Sequence, residues 1–308
     1  MPLVVVSSRR FADHVTPAGH PERPERAQAL EAVAASFKEQ GGEVIEPRSA
    51  TDEDLLRVHT QEHIGAIVAT RGKATMIDED TFTSPDSDEI ARLAAGAVLT
   101  GVDRALDGAV GSRALVLVRP PGHHAEADRA MGFCLYSNIA VGAAYARSRG
   151  CARVAIVDYD VHHGNGTQWI FYEDPTVLFV SSHQYPFYPG TGAASEKGRG
   201  PGLGFTLNIP LDAGAKDDEI ERKYAEQVVP AVRDFKPDLL MISAGFDAHE
   251  MDPLGQLRMT TNGFGRLTKL LIDLADELCA GRVVLVSEGG YHLDALSGSL
   301  KAVIEACR

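Results

Sequence analysis

Five short runs constrain this chain more than anything else in it: ALVLV at 114–118, VAIVD at 154–158, VLFVS at 177–181, LLMIS at 239–243 and VVLVS at 283–287. A strand that hides one face alternates apolar and polar residues. A run that is apolar at nearly every position hides both faces, and this is the pattern of a parallel sheet covered by helices. Residues 3–7, 43–46 and 204–209 read as three further strands, and the full extents of the five become 114–119, 154–158, 177–182, 239–244 and 283–287. Between them, residues 25–39, 87–109, 138–149, 217–234 and 262–279 repeat apolar positions at three and four, as amphipathic helices do. Strand alternating with helix over 308 residues predicts a single doubly wound α/β domain, residues 1–308, with a mainly parallel eight-stranded sheet.

Such a sheet binds ligands beyond the carboxyl ends of its strands. Chemistry is therefore expected in the segments at those ends: RPPGHHA, YDVHHGNG, SHQYPFYPGTG, GFDAH and EGGYH. A strand end is ordinarily just a turn, and five polar-rich ends in one chain predict one shared site.

Composition excludes some partners. A net charge of −13 is a poor match for a nucleic-acid backbone, which needs clustered Lys and Arg. No stretch approaches the roughly 18 apolar residues of a membrane span, and the Leu3 to Val6 run is too short for a signal sequence despite the Arg9-Arg10 pair behind it. The four cysteines, Cys134, Cys151, Cys279 and Cys307, are far apart and form no metal-binding pair, so reduced thiols and a cytoplasmic location are expected.

Asp158, Asp160 and His162 stand at i, i+2 and i+4 as one strand runs out; in extended chain they share a face, with Tyr159 and Val161 on the other. Asp247 ends a different strand. Two carboxylates and an imidazole, Asp160, His162 and Asp247, make an open site suited to catalytic Zn²⁺ or Fe²⁺, with Asp158 one layer behind. His123 and His124, stiffened by Pro120-Pro121-Gly122, can move protons near neutral pH, with Asp158 and Asn165 available to orient them. Tyr291, after two glycines, can donate a hydrogen bond to the oxygen of a tetrahedral intermediate. Together these groups predict hydrolysis of an acyl amide.

RPPGHHA, GFCLYSN, DYDVHHGNGTQ, PFYPGTG, AGFDAHEMDPLG and EGGY, with HPERPERAQAL and DLLRVHTQEHI upstream, resemble the histone deacetylase and acetylpolyamine amidohydrolase superfamily of the arginase-deacetylase fold. The resemblance runs from about His20 to Tyr291. It implies zinc on Asp160, His162 and Asp247, His123 paired with Asp158 and His124 with Asn165, His124 as the main general base and acid, and Tyr291 as the oxyanion donor. It further implies an acyl tunnel lined by Gly132, Phe133, Tyr188 and Leu254, and Arg26 near an inner cavity. A structural potassium ion would sit among Asp158, Asp160, His162, Ser181 and Ser182, and a second among carbonyls near Phe171, Asp174, Val177 and Phe205.

Three departures refine the expectation. Asn165 replaces the Asp of class I members, matching class II and bacterial members; an amide cannot neutralise an imidazolium, so His124 should deprotonate more easily. His249 stands where arginases carry a second metal-binding Asp, which argues against a two-manganese site. Leu254 replaces the gate glutamate of polyamine-selective members. The expected substrate is therefore an acylated lysine or related amine; an acetylpolyamine amidohydrolase is the alternative, and a non-catalytic acyl-lysine binder is the alternative outside catalysis. The resemblance leaves a homo-oligomer open.

Overall fold

The computed structural model describes residues 3–308. Eight strands form one sheet: β1 (Leu3–Ser7), β2 (Glu43–Ile45), β5 (Arg113–Leu117), β6 (Val154–Asp158), β7 (Val177–Gln184), β8 (Thr206–Leu211), β9 (Leu239–Ala244) and β10 (Val283–Ser287). The two-residue strands β3 (Thr75–Met76) and β4 (Phe82–Thr83) pair separately as an antiparallel hairpin. The main sheet runs β2-β1-β5-β10-β9-β6-β7-β8, and every pairing in it is parallel rather than mainly so. Pro210, which cannot donate to a ladder, lies in β8 at an edge, where a missing N–H is tolerated.

The helices are α1 (Pro24–Glu39), α2 (Asp52–Leu55), α3 (Gln61–Val68), α4 (Ser87–Asp107), α5 (Asn138–Ser148), α6 (Asn165–Ile170), α7 (Asp217–Lys223), α8 (Val229–Phe235), α9 (Thr261–Leu278) and α10 (Leu293–Ala306). The doubly apolar strands feed two cores. Leu115, Leu117, Ala155, Val157, Leu240 and Ile242 face α1 and α7 to α10. Ala114, Val116, Val154, Ile156, Leu239 and Met241 face α4 and α5. The period of two thus hides alternate residues under opposite helix layers, which is why no position in these runs is polar until the strand ends. Truncating one such side chain, Ile156→Ala for example, would cost about 2–5 kcal/mol.

Two expectations need correction. The helix expected across 217–234 is two helices joined by a π-helical turn, Tyr224–Val228. Pro230 lacks the N–H that would bond back to residue 226, and the widened turn accommodates that gap. The strand expected at 204–209 is also shifted: β8 spans 206–211, since Gly204 adopts a positive φ of 94° that a strand does not use. The remaining strands and helices lie within two residues of the expected ends. No helix is long and apolar enough to cross a membrane among the described residues.

The topology places the site. After β6 the chain moves outward to β7 and β8, then returns to β9 and continues the other way to β10. The β9–β6 boundary is therefore a point where the connections diverge, leaving a crevice at the carboxyl ends. The five polar-rich ends belong to β5, β10, β9, β6 and β7, which are contiguous in the sheet.

Candidate active site

Asp160 and His162, just past β6, meet Asp247, just past β9, across that crevice. One ligand atom from each lies within 4.8 Å of the others, and all three residues are buried. His162 Nδ1 lies 3.1 Å from Asp160 Oδ1 and 3.2 Å from Asp247 Oδ2. Three backbone N–H groups fix the carboxylates: Gly289 donates to Asp160 Oδ2 at 2.9 Å, His162 to Asp160 Oδ1 at 2.9 Å, and Val161 to Asp247 Oδ1 at 2.9 Å. Asp247 Oδ2 is buried and makes no hydrogen bond among the described residues. At Gly289 a Cβ would fall 2.0 Å from that same oxygen and 2.7 Å from Asp160 Oδ2, so only glycine lets the β10 loop pass beside the pair.

The electrostatics call for positive charge at this point. Burial drives the Asp247 carboxyl up to about 7, and Asp160 beside it adds to the rise. Burial pushes the His162 imidazole down, but Asp160 and Asp247 outweigh it and raise it to about 10. Two buried carboxylates against one imidazole, with one carboxylate oxygen that accepts no hydrogen bond from the described residues, are satisfied by a divalent cation displacing a proton. The donor set fits zinc or iron(II).

Above the trio stand the two histidines. The Arg119–Pro120 bond preceding them is cis. His123 Nδ1 lies 2.9 Å from Asp158 Oδ2, and His124 Nδ1 lies 2.7 Å from Asn165 Oδ1. Asn165, the first residue of α6, is itself oriented, since its Nδ2 donates to Glu126 Oε1 at 2.8 Å. A carboxylate only accepts, so the amide oxygen must face His124, and His124 Nδ1 must carry the proton. Its Nε2 is left as an acceptor. Burial, with His123 and His162 nearby, holds His124 well below the usual imidazole range. Burial also lowers His123, but Asp160 and Asp158 override it and raise that ring well above the usual range; a bound cation would oppose this rise.

A cavity of about 110 Å³ opens onto these groups, lined by His124, Gly132, Phe133, Tyr188, Leu254 and Tyr291 among others. The four residues expected to form a tunnel thus line one space. Gly132 has a φ of 57°, and a Cβ there would lie 2.5 Å from the His124 ring. Phe133 and Tyr188 pack edge-on against Tyr291 and His124 at 5.8 and 5.2 Å between centroids. Phe187, to which the sequence alone assigns no role, stacks on His162 at 5.4 Å. Tyr291 is 7% exposed. Its hydroxyl is held well above its ordinary range by burial, and although Arg26 opposes this, Asp247 and Asp160 reinforce it; it remains a proton donor. Asp158, Ser181 and Ser182 lie side by side on β6 and β7, where Asp158 pairs with Ser181 and the Ser182 hydroxyl donates to the Asp158 carbonyl at 3.5 Å. Phe171 and Asp174 share the α6–β7 turn, with Val177 opening β7 and Phe205 preceding β8.

Three acids matter that no sequence pattern singled out. Glu288 accepts from the backbone N–H of Gly122 at 2.7 Å and of His123 at 3.2 Å, locking the histidine loop to β10. Asp252 accepts from the N–H of Tyr291 at 2.6 Å, of His292 at 3.1 Å and of Leu254 at 3.0 Å, tying Tyr291 to Leu254. Glu22 is fully buried between Arg26 at 2.8 Å and Arg119 at 2.5 Å. Arg26 donates onward to the carbonyls of Gly290 and Glu288, at 2.7 and 2.6 Å, and its guanidinium covers the Tyr291 ring at 4.9 Å. Glu288 is signalled by its position after an apolar run; Glu22 and Asp252 lie within HPERPERAQAL and AGFDAHEMDPLG, but nothing local assigns their roles. His249 points away, with Nε2 3.1 Å from Thr261 Oγ1 and its Nδ1 accepting from the Met251 N–H at 3.1 Å.

A parallel α/β domain with this buried trio, paired histidines and a narrow acyl-sized cavity defines a hydrolase of the deacetylase class. The comparisons agree: the histone deacetylase domain model matches residues 20–307, and the chain belongs to the histone deacetylase family. It is 42% identical over 294 residues to "Histone deacetylase 15" of Arabidopsis thaliana, covering 93% of this chain and 52% of that protein. It is 38% identical to a "Probable deacetylase" of Archaeoglobus fulgidus, covering 94% of this chain and 81% of the relative. The solved HDA15 HD domain superposes with a TM-score of 0.92 at 40% identity, over 99% of this chain and 89% of that one. The chain thus spans about half of the Arabidopsis protein's length, and its architecture is the arginase-deacetylase fold.

Proposed function

We propose that residues 1–308 form a single catalytic domain, a zinc-dependent deacylase that hydrolyses the amide of an acylated lysine or a closely related amine. The observation that carries this reading is the buried cluster of Asp160, His162 and Asp247, whose Asp247 Oδ2 accepts no hydrogen bond from the described residues, beside a cavity that His124 and Tyr291 also line. A zinc ion held by Asp160, His162 and Asp247, or iron(II) in the cell, would polarise the acyl carbonyl and acidify a water molecule. His124 Nε2 takes the proton from that water. Tyr291 donates to the carbonyl oxygen as it gains charge, and it is aimed by Arg26 beneath its ring and Asp252 at its backbone N–H. His123, held by Asp158, keeps positive charge beside the reacting carbonyl. His124, now protonated, hands its proton to the leaving amine.

Asn165 behind His124 supports a class II-like assignment. The hydrogen bonding of His249 to Thr261 supports one metal rather than two. A potassium ion among Asp158, Asp160, His162, Ser181 and Ser182 would brace the β6 and β7 ends, with a second near Phe171, Asp174, Val177 and Phe205. Leu254 in the cavity wall supports acyl-lysine over an acetylpolyamine, since it takes the place of the gate glutamate that would anchor a cation. Asp80, which also lines the cavity, favours the acetylpolyamine alternative, because a carboxylate there can pair with a ligand's second ammonium. Measuring kcat/KM for an acetyl-lysine peptide, N-acetylputrescine and acetylcadaverine separates the two. The peptide should be preferred; a clear preference for the acetylpolyamines would reverse the ranking. Hydroxamate binding without turnover of any acylated amine would make the chain a binder instead.

A further inference from the structure

A second cavity, of about 500 Å³, lies away from the tunnel. It is lined by Arg57 after α2, Arg147 in the last turn of α5, Trp169 and Phe171 at the end of α6, and Asp174. Arg147 Nε and Nη1 and Arg57 Nε are shielded from solvent and have no hydrogen-bond partner among the described residues. The contrast with a neighbour is direct, because Arg149 is neutralised by Asp103 and Asp107. Arg57 is held loosely, by long ion pairs to Glu53 at 3.7 Å and Asp54 at 4.0 Å and by its guanidinium lying 5.7 Å from the centre of the Tyr145 ring. The one carboxylate in the lining, Asp174, is turned toward Thr176, whose N–H (2.8 Å) and hydroxyl both donate to its Oδ1.

Shielded charged donors without acceptors are rare in folded proteins and mark a missing partner. That partner is an anion here, in a chain whose net charge of −13 otherwise repels anions. Three shielded nitrogens on two guanidiniums carry four N–H donors, which suit the three terminal oxygens of a phosphate monoester better than the two of a carboxylate. The cavity falls within the roughly 300–1,000 Å³ used for small organic ligands, so a bare ion would leave most of it empty. Trp169, which is 37% exposed with its ring edge-on to Tyr172 at 4.8 Å, supplies a flat apolar wall for the rest of such a ligand.

We propose that this cavity binds a phosphate monoester of a small organic molecule, with its phosphate between Arg57 and Arg147 and its organic part against Trp169. Arg57, Arg147 and Trp169 have no part in the acyl-amide chemistry.

Trp169 is the only tryptophan of the chain, so its fluorescence reports on this cavity alone. The full chain is titrated with AMP, with inorganic phosphate and with adenosine, and heats of binding are recorded in parallel by calorimetry. AMP should bind saturably with a Kd on the order of 1 mM or tighter, phosphate more weakly, and adenosine not at all. Arg147→Gln and Arg57→Gln should each weaken AMP binding about tenfold or more, with deacylation unchanged, as loss of a charge-assisted hydrogen bond requires. Two variants are used so that misfolding of one does not decide the matter. No saturable signal by either method, binding of adenosine equal to AMP, or AMP binding retained in both variants would overturn the proposal.

Discussion

Replacing the amide behind His124 by a carboxylate tests the proton-transfer scheme at its centre. In the present site Asn165 Oδ1 accepts from His124 Nδ1 at 2.7 Å, and burial with two neighbouring imidazoles holds His124 well below the usual imidazole range. A carboxylate in contact with the ring would favour imidazolium and raise its pKa by about 1–3 units, or about 1.4–4 kcal/mol. Asn165→Asp alone will not deliver this, because Asn165 Nδ2 lies 2.8 Å from Glu126 Oε1. Two carboxylates that close cannot both ionise, and the shared proton would blunt the charge facing His124. The double variant Asn165→Asp/Glu126→Gln restores a donor and leaves the new carboxylate ionised. The assay is kcat/KM against pH with an acetyl-lysine peptide, whose acidic limb reports the free-enzyme base. That limb should move up by about 1–3 units in the double variant and less in the single one. A double variant whose limb moves by less than about 0.3 units would show that His124 is not the base.

Tyr291→Phe should lower kcat by roughly 10²-fold or more while hydroxamate affinity is largely kept, as for any lost oxyanion donor; an unchanged rate would remove that role. Glu22→Gln should destabilise the fold by about 3–5 kcal/mol in urea denaturation, because it leaves Arg26 and Arg119 buried against a neutral group. Burial pushes the Glu22 carboxyl up, but Arg119 and Arg26 outweigh it and hold it at about 2. This depressed carboxyl stabilises the fold above its unfolded value near 4.5, and that contribution should fade as pH falls from there toward 2, flattening in Glu22→Gln; identical acid profiles for the two proteins would refute it. Leu254→Glu should raise kcat/KM for acetylputrescine relative to the acetyl-lysine peptide by about tenfold, through an anionic anchor at the gate; no change in the ratio would deny Leu254 a part in selection.

The sheet was legible because its strands are apolar on both faces, a pattern that short turns cannot imitate. The trio was half legible. The alternation at Asp158, Asp160 and His162 puts three polar groups on one face, and Tyr159 and Val161 do turn into the opposite core. That Asp247 would meet them depends on β9 returning beside β6, which no local spacing encodes. The same limit hid Glu22, whose partner Arg119 is 97 residues away, and Asp252, whose partner Tyr291 is 39 residues away. The helix α10 carries buried Leu296, Leu300, Val303 and Ile304 at helical spacing, but Gly298 interrupts it and weakens the signal. The arginine-lined cavity was invisible for a different reason: Arg57, Arg147 and Trp169 belong to three separate elements with no motif among them.

The most direct test of a single-metal deacylase is a zinc titration. The protein is stripped with a chelator, zinc is added back in steps, and activity on an acetyl-lysine peptide is measured together with bound metal by elemental analysis. Activity should be absent in the stripped protein and should saturate at one equivalent of zinc per chain, while Asp247→Asn should lose both tight zinc binding and turnover. Full activity without metal, or saturation only at two equivalents, would contradict the account.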